Sequence, residues 1–366
     1  MKFSCKQKNF SAAISNVQRA VSNKSTTPEM EGILIKAENE KITICGYDTE
    51  IGIVTSIKCN IQEEGGIIIN AKLLCDIVKR LPDENVNIQT DEKFMVNITS
   101  GQADYKIIGM SPETYPELPV IDKTDTISIK SGLLKNMIKQ TVFAVSTEIS
   151  RPVYTGSLFE INENEFKIVS IDGYRMAIRK EKIQKSNKNS FVVPGKTLNE
   201  ILKLISDEDE DTQIEVGQRH AALIIEDYKI ITRLIEGNFI DYKTTVPSDC
   251  KTEIKINTRN LISAVERMSL LTSEKIQSPI RCTVDSNKIK LSCSTSIGKA
   301  NDAVYAEING ENVEIGLNNK YLLDALRNTE TDEVKIQMSG SLTPIKIMPV
   351  DGDSFLFLVV PMRFKQ

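Results

Sequence analysis

The residues best placed to do chemistry are cations held in a fixed register. Lys72, Lys196 and Lys320 stand 124 residues apart, and Lys79, Lys203 and Arg327 follow seven residues behind each of them. Seven residues is about two turns of helix, so the two bases of each pair share a face. Ammonium and guanidinium groups in such rows suit the phosphates of a polyanion, whose contacts carry charge but no base sequence. Catalysis is poorly supplied by comparison. His220 is the only histidine, which excludes a multi-histidine metal centre and leaves a Ser-His triad little basis. It falls in Gly217-Gln218-Arg219-His220, read as a loop between strands. No G-x-x-x-x-G-K phosphate loop and no G-x-S-x-G elbow occurs. The acidic run Asp207-Glu208-Asp209-Glu210-Asp211 lacks the glycine and spacing of a calcium loop and reads as a solvated linker. No catalytic residue, metal ligand or cofactor is expected.

The elements that carry these bases repeat as whole segments. Residues 66–79, 190–203 and 314–327 each read as a short β-type run feeding a helix. Leu73, Leu74, Ile77 and Val78 form the apolar side in the first copy. Leu198, Ile201, Leu202 and Ile205 form it in the second, and Leu322, Leu323 and Leu326 in the third. Asp76, Glu200 and Asp324 keep the same register. Solubility alone explains one basic helix; three copies in register argue for a shared role. A repeat near one third of 366 residues means three copies of one folded unit.

Each third also opens with a strand and helix. Residues 2–6 lead to Phe10, Ile14 and Val17; residues 126–130 lead to Leu134, Ile138 and Val142; residues 253–257 lead to Leu261, Val265 and Met268. Six helices are expected, over 7–20, 70–80, 131–146, 195–205, 257–271 and 318–328. Segments 33–37, 41–45, 166–170 and 288–292 read as strands bounded by turns. Many strands with two helices per unit predict an α+β fold, helices layered on antiparallel sheets. Units are expected over 1–121, 122–248 and 249–366, with boundaries near Leu118–Lys123 and Val246–Asp249.

Charge is distributed unevenly. The six helical spans carry thirteen bases against four acids, a balance of +9 in a chain of net charge −4, so the remainder carries −13. Concentrating cations on one class of element makes an electrostatic site for a polyanion if those helices share a surface. Two chains would supply twelve helices, which at roughly 9 Å spacing close a circle of axes about 34 Å across. The seven cysteines include no C-x-x-C pair and read as reduced, scattered core thiols. No signal peptide and no bilayer-length apolar run is seen, so a cytoplasmic protein is expected.

Several short motifs add a resemblance. Met1-Lys2-Phe3, Ile171-Asp172-Gly173-Tyr174-Arg175-Met176, Glu236-Gly237-Asn238-Phe239-Ile240-Asp241-Tyr242 and Val360-Pro361-Met362-Arg363 together resemble the bacterial β sliding clamp family across essentially the whole chain. Each motif is short, and their order and spacing carry the match. The resemblance implies a non-catalytic processivity factor: a head-to-tail homodimeric ring that slides on duplex DNA and tethers the replicative polymerase, clamp loader and repair proteins by short peptides. It implies DNA contact by Lys24 and Arg151 beside the register bases. It implies a peptide cleft lined by Tyr154, Ile171, Gly173, Tyr174, Arg175, Met176, Ile240, Thr245, Tyr321, Pro344, Leu358, Val359, Val360, Pro361 and Met362. It also implies a ring interface pairing the Tyr105 and Ile107 strand of one copy with Leu270 and Leu271 of the other. Tyr154, Ile240 and Val360 depart from the residues usual there, which bears on cleft shape.

Read from the residues alone, Phe355–Val360 is a buried terminal strand, and Pro361 ends its donor ladder at a surface edge. A second class of function is a ring or solenoid-like interaction scaffold that does not enclose nucleic acid. The location of the register bases separates the two: one concave surface in the first, scattered positions in the second.

Overall fold

A computed structural model of the chain describes all residues except 23, 83, 123–124, 185–186, 208, 273–277 and 365–366. Lys123 of the first boundary and Glu208 of the acidic run therefore lie outside the described residues. All six expected helices form, each slightly shorter than its periodicity suggested. They are α1 (Gln7–Val17), α2 (Ala71–Val78), α3 (Ser131–Val142), α4 (Gly195–Leu204), α5 (Thr258–Ser269) and α6 (Asn319–Arg327). A 3₁₀ turn over Gln18–Ala20 continues α1 and accounts for its longer expected span.

Short amides start three of the helices. Asn70 Oδ1 accepts from the Leu73 amide at 3.1 Å, Asn257 Oδ1 from Asn260 at 3.0 Å, and Asn318 Oδ1 from Lys320 and Tyr321 at 2.9 and 3.2 Å. Each satisfies first-turn N–H groups that have no partner within the helix. Lys79 falls at the C-cap of α2, just past its last helical residue. Leu73 departs from the expected apolar side: it is 43% exposed, whereas Leu74, Ile77 and Val78 are buried.

The chain divides into two compact bodies, one of Met1–Lys135 with Asn199–Leu234, the other of Asn136–Leu198 with Ile235–Gln366. Every described strand pairing named between strands is antiparallel. The first body holds an eight-stranded sheet in which Tyr228–Arg233, from the middle third of the chain, pairs with Ile51–Lys58, from the first. The second holds a nine-stranded sheet in which Arg175–Lys182 pairs with Phe355–Val359. Adjacent repeats thus complete one another's sheets, which removes edges that would leave backbone N–H and C=O groups unpaired. Two smaller sheets remain. One of five strands ends on Ala103–Ile108, and one of four ends on Gly298–Tyr305.

Helices cover the sheets. In the first body α1 packs beside α2 and over Lys41–Tyr47 and Ile51–Lys58. Phe10, Ile14 and Val17 of α1 are fully buried, and Phe10 meets Phe3 edge-on at 6.1 Å. In the second, α5 packs beside α6 and against Lys288–Thr295 and Gly298–Tyr305. Burying each such side chain contributes about 2 kcal/mol. All seven cysteines are free. Five are buried as expected, but Cys59 is half-buried and Cys250 exposed. Burial pushes the Cys5 and Cys45 thiols up to about 12, which leaves them unreactive.

Candidate functional site

The most elaborate side-chain arrangement lies in the second body, where Glu165–Ile171 turns into Arg175–Lys182. Asp172 Oδ1 accepts from the amides of Tyr174 at 2.9 Å and Arg175 at 3.0 Å, tying the turn from within. Gly173 has φ +92°, which glycine adopts at no steric cost. The turn lifts Tyr174 outward, 61% exposed. Its ring stacks on Tyr321 of α6 at 5.9 Å and 18°. Behind the pair lies Arg175. Its Nε donates to Asp172 Oδ2 at 2.9 Å and its Nη1 to Asp324 Oδ2 at 2.5 Å. The guanidinium sits 4.7 Å from the Tyr321 ring centre and 5.5 Å from that of Phe143. Burial, then Asp172, raises the Tyr321 phenol above its ordinary value, so the ring stays neutral.

An apolar cluster adjoins this wall. Leu158, Val169, Ile171, Met176, Ile178, Val192, Tyr242 and Leu358 are buried together, with Tyr154, Phe239 and Val246 packed against them. Tyr154 meets Phe239 edge-on at 6.2 Å, and the exposed Arg151 guanidinium lies 5.8 Å from the Tyr154 ring centre. The Tyr242 hydroxyl donates to Glu160 Oε2 at 2.5 Å, with Lys243 Nζ 3.3 Å from Oε1. Burial alone would raise the Glu160 carboxyl, but these two donors hold it below its ordinary value. Thr245 donates its hydroxyl to the Tyr242 carbonyl at 2.7 Å. Ile240 is 39% exposed at the rim, and Pro344 is half-buried just before Ile345, which pairs with Val359.

Phe355–Val359 is a central strand, and the chain past it is held by backbone hydrogen bonds on either side of Pro361. The Val360 amide donates to the Tyr174 carbonyl at 2.9 Å, and the Met362 amide to the Gly316 carbonyl at 2.8 Å. Pro361 between them has no amide to offer. Gly316 is required for that approach, because a Cβ there would lie 2.5 Å from the Met362 carbonyl oxygen. Ile171, Met176, Leu358 and Tyr154 therefore share one cluster, while Tyr174, Arg175 and Tyr321 form a second. Phe143, Phe239, Tyr242 and Asp324 belong to the same arrangement and lie outside the site residues expected from the sequence. Asp324 had a signal, its place in the repeat register; Phe143 had none beyond its position late in a helical span. An exposed aromatic wall beside apolar rim residues suits an extended peptide with large apolar side chains.

The register bases are all exposed. Their acidic companions are engaged: Asp76 pairs with Arg80 at 3.2 Å, and Glu200 with Lys203 at 2.8 Å and Arg19 at 3.5 Å. Arg327 pairs with Glu266 at 2.6 Å. Exposed pairs of this kind are weak and are screened by salt. Lys24 is exposed in the first body and Arg151 in the second. Tyr105 is 39% exposed on Ala103–Ile108, where Ile107 is half-buried. Leu270 is 81% exposed after α5, and Leu271 packs against the core. His220, expected in a loop, instead opens the strand His220–Ile225 opposite Arg233. Burial and then Arg233 and Arg219 lower its pKa.

Three consecutive family models match the chain: the N-terminal domain of the DNA polymerase III beta subunit over residues 1–119, its central domain over 128–241 and its C-terminal domain over 243–363. A beta sliding clamp of Staphylococcus epidermidis is 33% identical over 374 residues, covering 99% of each chain. The DNA polymerase sliding clamp of Bacillus subtilis superposes with a TM-score of 0.97 at 32% identity over 100% of both chains. A DNA polymerase III subunit beta of Pseudomonas aeruginosa, solved bound to griselimycin, superposes with a TM-score of 0.95 at 25% identity, again over 100% of both. Among the described residues no helix is long and apolar enough to cross a membrane.

Proposed function

Since the chain belongs to the DNA polymerase III beta subunit family, we propose that two copies close head to tail around duplex DNA and dock partner peptides in the Tyr174–Tyr321 cleft. A DNA polymerase processivity factor needs only to stay on DNA and hold its polymerase. It carries out no reaction of its own, and it works in the cytoplasm.

The observation that carries this reading is how the sheets are divided. The nine-stranded sheet consists of four strands from the middle third and five from the last, joined by Arg175–Lys182 and Phe355–Val359. The two smaller sheets have four and five strands in the same order, and Gly298–Tyr305 and Ala103–Ile108 occupy the places of the joining strands. Each is half of a sheet whose other half exists in a second copy. Antiparallel pairing of those two edges would continue the repeat into a closed ring, with Tyr105, Ile107, Leu270 and Leu271 at the seam. Lys24, Arg151 and the register bases Lys72, Lys79, Lys196, Lys203, Lys320 and Arg327 then serve as phosphate contacts that let DNA slide.

Retention on plasmid DNA tests enclosure. After loading on a nicked circle, the protein is expected to remain through gel filtration at moderate salt and to be lost once the plasmid is cut to a linear form. Equal loss from circular and linear DNA would falsify enclosure.

A further inference from the structure

The repeat register contains an acid that the phosphate-binding reading does not use. Asp324 lies on α6 three residues after Tyr321, so both project from one side of the helix. Its carboxylate takes the Arg175 Nη1 donor at 2.5 Å, while Asp172 takes Nε at 2.9 Å. The arginine side chain is only 10% exposed, so this bond forms where water competes little. Arg175 is thus gripped at two points of its planar fork, and its face is covered by Tyr321 at 4.7 Å and Phe143 at 5.5 Å. Asp172 is local to the turn. Asp324 is the ion-pair partner that ties the turn to α6 among the described residues.

We propose that Asp324 is a positioning residue of the peptide cleft, fixing Arg175 so that Tyr174 and Tyr321 present one continuous aromatic wall. This rests on the cleft reading above. Without the carboxylate, Arg175 keeps its bond to Asp172 and its stacking against Tyr321 but loses the directed hydrogen bond that fixes its fork on the helix. The stacking of a 61% exposed Tyr174 on Tyr321 then loses its alignment. The wall stays apolar but stops being preorganised, and affinity falls because the ligand must order it. The equivalent acids have other duties: Asp76 pairs with the exposed Arg80 just past the end of its helix, and Glu200 with Arg19 and Lys203.

The test is a double-mutant cycle read by fluorescence anisotropy with a labelled peptide from the replicative polymerase subunit. Asp324→Asn is expected to weaken binding by about tenfold, the scale of one charge-assisted hydrogen bond. Asp324→Glu should recover most of that loss, and Asp76→Asn should bind as the unaltered chain does. In an Arg175→Met background the Asp324→Asn penalty should largely vanish, since no cation is left for Asp324 to hold. Unchanged affinity in Asp324→Asn, an equal penalty in the Arg175→Met background, or an equal loss in Asp76→Asn would each overturn the proposal. Failure of the unaltered chain to bind the peptide would instead remove the cleft itself.

Discussion

At the scale of single residues, the proposed function asks two things of Arg151. Its guanidinium is exposed, as a phosphate contact requires, yet it lies 5.8 Å from the Tyr154 ring that borders the apolar cluster. Lys24 is exposed, with no ring contact among the described residues; its carbonyl accepts from Ser22 Oγ at 3.0 Å. The two positions should therefore separate. Reversing either charge, Lys24→Glu or Arg151→Glu, is expected to weaken DNA in a mobility-shift assay and reduce the salt slope by about one contact. Only Arg151→Glu should also weaken the peptide, by about two- to fivefold, the value of an exposed cation–π contact. Identical peptide binding by both variants would show that Arg151 does not brace the cleft. The role of Gly173 was legible as an Asp-Gly turn. The grip of Asp324 on Arg175 was not, because 149 residues separate the partners and only folding brings them together.

At the scale of elements, residues 360–364 tie back to the Tyr174 turn, to Gly316 and to Arg281. Phe355–Val359 is locked between Arg175–Lys182 and Ile345–Pro349. Beyond it, the Val360 and Met362 amides bond Tyr174 and Gly316, and Phe364 lies 4.3 Å under the Arg281 guanidinium. Ending the chain after Val360 removes the Met362 bond and the Phe364 contact but leaves every strand intact. Calorimetry with the polymerase peptide is expected to find binding abolished while the thermal midpoint changes little; undiminished affinity would exclude the tail from the site. The helices were legible because an apolar face at 3.6-residue spacing needs only local sequence. Strand partners were not. Pairing Tyr228–Arg233 with Ile51–Lys58 depends on edges far apart in the chain.

At the scale of the whole molecule, the internal repeat points to where a second copy fits. Leu270 stands nine residues after Leu261, as Phe143 stands nine after Leu134. Phe143 is covered, meeting Phe357 edge-on at 5.3 Å beside Arg175, whereas Leu270 remains 81% exposed. A seam that buries Leu270 against a second copy gives it the environment Phe143 already has. Leu270→Asp, which places a charge at that seam, should therefore shift the mass in solution from twice 40.9 kDa to a single chain without unfolding it. A variant that stays dimeric at low micromolar concentration would take Leu270 out of the interface.

The sequence by itself determined the threefold repeat, the six helices, the cationic register and the turn at Asp172-Gly173, since each depends on residue type and short spacing. Tertiary structure decided which repeats share a sheet, which edges are left open, and which acid holds Arg175. Those outcomes depend on pairing backbone and charged groups across long stretches of chain, where no local pattern specifies the partner.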